Sequence, residues 1–185
     1  MSKLHTDRAE ALPMSGPTWA GTPIAYRVLG WAGQKLGRAH EALFILREQT
    51  PEEFYPLDIC FGDNPNALNA EGLLLVAARR LARAADSLAE CCGELDSSSL
   101  ALLQAETAPA PTILRTEALP VAEQALDVGL EPPILDHRSA LKRLSLLVRA
   151  FRLSATAMIA SESLDQSEVA VLQGALAPFE ARSRP

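Results

Sequence analysis

Aromatic side chains make up only 5% of this 185-residue sequence, and cysteine occurs three times, at Cys60, Cys91 and Cys92. An odd count with two adjacent members excludes a disulfide framework and predicts a reducing, cytoplasmic setting. No CxxC pair occurs, and His5, His40 and His137 lie far apart, so no structural metal and no cofactor is expected. No stretch approaches the roughly 20 apolar residues of a membrane helix, and the opening MSKLHTDRAEALPMSGPTWAGTP has no apolar signal-peptide core. No membrane association or export is expected. Alternating runs of β-branched residues are also missing, which excludes a substantial sheet and any phosphate loop built on a strand.

What is present is alanine and leucine at helical spacing, within 48% apolar residues. The expected fold is all-α, a bundle of about six helices. Pro13, Gly16, Pro17 and Gly21 punctuate residues 1–22, which read as a flexible arm ahead of a single helical domain over 23–183. A first helix is predicted from Ile24 to Glu48, with a break or a close helix contact near Gly33. A second starts at Asn64-Pro65 and runs to Cys92, with Gly93 suited to a left-handed closing position. Short helices follow over Ser97–Thr107 and Pro120–Asp127, the latter stopped by Gly129 and Pro132-Pro133. Asp136 is placed to cap a long helix over His137–Ser161, and Asp165 with Glu168 forms a capping box for the last helix.

The segments LDSSSLALLQAETAP, 95–109, and LDQSEVAVLQGALAP, 164–178, match at eight of fifteen positions. LLVAARRLARAA, 74–85, and LLVRAFRLSATA, 146–157, agree at seven of twelve. Their offsets are 69 and 72 residues, so the three-residue difference falls in the turn between them. Two similar long-helix/short-helix hairpins, at about 64–109 and 136–178, account for this pattern.

The helix from His137 carries Leu141, Leu144, Val148, Phe151, Ala155 and Met158 at alternating steps of three and four, widened by Leu147 and Leu153. This is the expected centre of the core, with Leu144, Val148, Phe151 and Leu153 buried. Its polar residues form a narrow stripe of Arg138, Lys142, Ser145, Arg149, Arg152 and Thr156. Four cations without a carboxylate between them, on a chain of net charge -6, suit an acidic partner. An ordinary solvated face gives the same pattern, and that is the competing reading.

A second candidate surface is the aromatic linker EEFYPLDICF, through Phe54, Tyr55 and Phe61. The function expected is therefore a non-enzymatic interaction module, an adaptor, inhibitor or small regulator that binds another protein. Nucleic-acid binding through the stripe is the alternative, weakened by the absence of aromatics on it to stack bases. An enzyme or ligand-binding bundle using Asp136 and His137 ranks third, because no nucleophile can be attached to that pair.

Overall fold

The computed structural model describes residues 23–48, 70–110, 115–130, 137–162 and 164–180. Among them there are six α-helices and no strand: α1 (Pro23–Glu48), α2 (Ala70–Gly93), α3 (Ser97–Glu106), α4 (Arg115–Leu130), α5 (His137–Ile159) and α6 (Gln166–Leu176). A single 3-10 turn, Ala177–Phe179, follows α6.

α1 packs most extensively on α2, and α4 on α5. α5 also touches α1, α2 and α6. Leu144, Leu147, Val148, Ala150, Phe151, Leu153 and Ala155 are all buried, so α5 is the central helix its apolar spacing predicts. Phe179 closes the end of this core, its ring meeting Phe151 edge-on at 5.3 Å and 60°. Nothing in the sequence pattern pairs these two rings.

The short helices begin where their caps dictate. The Asp96 carboxylate accepts from the Ser99 N–H at 2.8 Å, and that of Asp165 from the N–H groups of Ser167 and Glu168 at 2.8 and 2.9 Å. Each bond satisfies an amide that the first helical turn leaves without a partner. These charge-assisted bonds hold both carboxyls below their ordinary range. Asp165 falls to about 2, chiefly through the Glu168 amide and then the Ser167 hydroxyl.

Several boundaries depart from expectation. α1 is unbroken; at Gly33 the alternative, a close contact, is what occurs. A Cβ there would lie 2.9 Å from Leu130 Cδ2 and 3.5 Å from Leu147 Cδ1. α4 begins at Arg115, five residues before Pro120, and continues through Gly129. Pro120 leaves one backbone bond unmade without ending the helix. Gly129 lets α5 come close, since a Cβ on it would sit 3.1 Å from Leu147 Cδ2 and 3.3 Å from Leu146 Cβ. Gly93 ends α2 without a left-handed φ, whereas Glu162, in the turn after α5, has φ 53°. Asn64, Pro65 and Asp136 lie outside the described residues.

The sequence resemblance carries into local features of the short helices. Leu103 and Leu172 are both buried, and Leu102 and Val171 are both exposed. In the long helices, burial agrees at Val76/Val148, Ala78/Ala150, Leu81/Leu153 and Ala85/Ala157. It reverses at Ala77/Arg149, Arg79/Phe151, Arg83/Ala155 and Ala84/Thr156. The two helices meet different neighbours, and α6 packs more extensively on α2 than on α5.

Candidate interaction surface

α5 contains Arg138, Lys142, Arg143, Arg149 and Arg152 and no Asp or Glu from His137 to Ile159. Its 3.6-residue period places Arg138, Lys142, Arg149 and Thr156 on one face, and all four are exposed. No ion pair or hydrogen bond is made by the side chains of Arg138, Lys142 or Arg149 among the described residues. The three cations lie within twelve residues, 138–149, a rise of about 16 Å along the helix.

Arg152 was expected to be accessible on this row, and the structure corrects that. It is 7% exposed, because α3 closes over the edge of the row on which it stands. Arg152 Nη1 donates to the carbonyl of Gln104 at 2.8 Å and to Thr107 Oγ1 at 3.0 Å. The Thr107 hydroxyl in turn donates to the carbonyl of Leu103 at 2.7 Å. Burial pulls the Arg152 guanidinium down from its ordinary range, and nearby Glu180 acts against that. Arg152 thus anchors the end of α3, while Gln104 Nε2 donates to the carbonyl of Pro178 at 3.2 Å.

The aromatic candidates Phe54, Tyr55 and Phe61 lie outside the described residues, as does Asp136. The exposed large apolar side chains that are described, Trp31, Leu102, Val128, Leu130 and Val171, are distributed over α1, α3, α4 and α6. Cys91 and Cys92 are buried free thiols, and burial pushes both up to about 12. Neither offers a thiolate at neutral pH. Among the described residues no group of three His, Cys, Asp or Glu side chains could hold a metal ion. Nor is any helix among them long and apolar enough to cross a membrane.

Sequence reasoning missed one buried polar constellation. His40 on α1 and Ser154 on α5 are 5% and 0% exposed, and His40 Nε2 lies 2.9 Å from Ser154 Oγ. The signal was available: Leu36, Ala39, His40 and Leu43 share the apolar face of α1, so helical period alone directs the imidazole inward. Its partner on another helix was not readable. No protein family, curated protein or solved structure matches the chain.

Proposed function

We propose that the protein is a non-catalytic, cytoplasmic interaction module whose α5 cation row receives an acidic protein partner, in the manner of an adaptor, inhibitor or small regulator. The observation that carries this reading is the exposure of Arg138, Lys142 and Arg149 on one helix face, with no ion pair among the described residues. A cation already paired within its own fold has little charge left to offer. Unpaired cations in register draw an oppositely charged surface and set its orientation. Phe54, Tyr55 and Phe61 supply the apolar anchor in this reading, since rim charges alone give specificity more than affinity.

The test uses the full chain and a variant with Arg138, Lys142 and Arg149 reversed to Glu. Affinity capture from cell extract is compared for the two, before and after nuclease treatment and over a range of salt. A protein retained by the parent chain, weakened by salt and lost with the triple reversal supports the reading. Recovery abolished by nuclease moves the function to nucleic-acid binding, and a partner captured equally by both chains removes the cation row from it.

A further inference from the structure

His40 stands where α1, α4 and α5 meet, and its hydrogen bonds fix which nitrogen carries the proton. Ser154 Oγ donates to the carbonyl of Ala150 one turn earlier at 2.8 Å. The serine hydroxyl has a single proton, so at 2.9 Å the imidazole Nε2–H is the donor to Ser154 Oγ. The opposite nitrogen, Nδ1, is then a bare lone pair, buried and without a hydrogen-bond partner. A bare acceptor is tolerable in a core; an N–H with no acceptor, carrying charge as well, is far more costly.

We propose that His40 is an acid-released latch: neutral, it ties α1 to α5 through Ser154, and protonated, it gains a second N–H on a buried nitrogen that has no hydrogen-bond partner among the described residues, so the seam between α1, α4 and α5 opens. The charged groups that face the ring are Glu123 and Asp127 on α4, which favour its protonated form. Neither makes a hydrogen bond to Nδ1. α5 contributes the uncharged Ser154. On α2, the side of α1 is met by Arg80, which donates to the carbonyl of Arg38 at 3.0 Å, and by Ser87, which accepts from Lys35 Nζ at 2.7 Å. Burial outweighs the two carboxylates and brings the His40 ring down to about 4.

The sign follows from linkage. Below pH 6.5 the unfolded chain protonates this imidazole while the folded chain resists, so stability is complete above 6.5 and falls as pH drops toward 4. The change in the unfolding equilibrium across that window is on the order of 100-fold. The Asp96 and Asp165 caps act in a separate window, below about pH 4.

The experiment is a pair of measurements on the full chain. Denaturant unfolding is followed from pH 7.5 to 4 for the parent, His40→Gln and His40→Leu, and the His40 ring proton shift is followed by NMR over the same range. The expected result is a loss of stability between pH 6.5 and 4 in the parent that the folded His40 variants lack, with the ring titrating near 4. Should either variant fail to fold, the NMR titration of the parent decides alone. A His40 midpoint near 6.5, or parallel stability profiles in parent and variants, overturns the latch.

Discussion

At the scale of single residues, two arginines one helical turn apart on α5 have opposite fates. Arg149 is exposed and forms no pair among the described residues, while Arg152 is buried and holds Gln104 and Thr107. Their sequence context gives both the same standing on a polar stripe, because periodicity records which way a side chain leaves its own helix and nothing of what arrives there. Arg152→Met should therefore destabilise the fold by about 1 to 3 kcal/mol, since Thr107 and the Gln104 carbonyl lose a charged donor. Arg149→Met should stay within about 0.5 kcal/mol of the parent. Denaturant midpoints of the two variants check this, and equal effects would show that burial does not separate them. Phe151 was correctly placed in the core by spacing alone. Phe151→Ala should cost about 3 to 5 kcal/mol, and the same unfolding series measures it. Cys91 and Cys92 should resist alkylation in the native chain at pH 8 and react fully in denaturant, as peptide mass mapping would show. Rapid native labelling of either would contradict a buried thiol whose pKa is about 12.

At the scale of elements, the glycines divide by what stands opposite them. Gly30 and Gly37 in α1 face open space, whereas Gly129 faces Leu147 Cδ2 and Leu146 Cβ. A Cβ at the open positions adds helix propensity without a clash, so Gly30→Ala and Gly37→Ala should each stabilise by roughly 0.5 to 1 kcal/mol. Gly129→Ala meets Leu146 Cβ, which cannot move without the α5 backbone, and should lower the melting temperature. If Gly129→Ala is as stabilising as Gly30→Ala, the close approach of α4 to α5 is misplaced. The same contrast explains which boundaries were legible. α6 begins where the Asp165 capping box places it, because a cap bond is local to the chain that makes it, and α3 begins at Ser97 as expected, on an Asp96 cap that sequence reasoning had not singled out. α4 was misread at both ends, since Pro120 and Gly129 carry the local signature of breakers and only packing on α5 overrules it. Gly33 sat between these cases: the choice between a break and a close contact was visible, and Leu130 and Leu147 decide it.

At the scale of the whole molecule, stability should be graded outward from α5. Every residue from Ala150 to Ala155 is buried, and the helix is surrounded by α1, α2, α4 and α6. In α3, by contrast, Leu103 is the one buried residue, and the helix is tied down mainly where Arg152 and Gln104 reach across. Opening α3 exposes little apolar surface, while opening α5 removes the side chains against which every long helix packs; local and global opening should therefore have different free energies. Native-state hydrogen exchange tests the difference directly. Amides of α5 from Leu147 to Ala155 should exchange slowest, at the rate set by global unfolding, and those of α3 should exchange on the order of 100-fold faster. Arg152→Met should speed α3 further and leave the α5 amides following the global stability, because the guanidinium fastens α3 onto the bundle. Identical protection in α3 and α5 would mean that the short helix opens only when the whole bundle does. The Arg152 contacts would then be one bond among many in a single cooperative unit rather than the fastening of a peripheral helix.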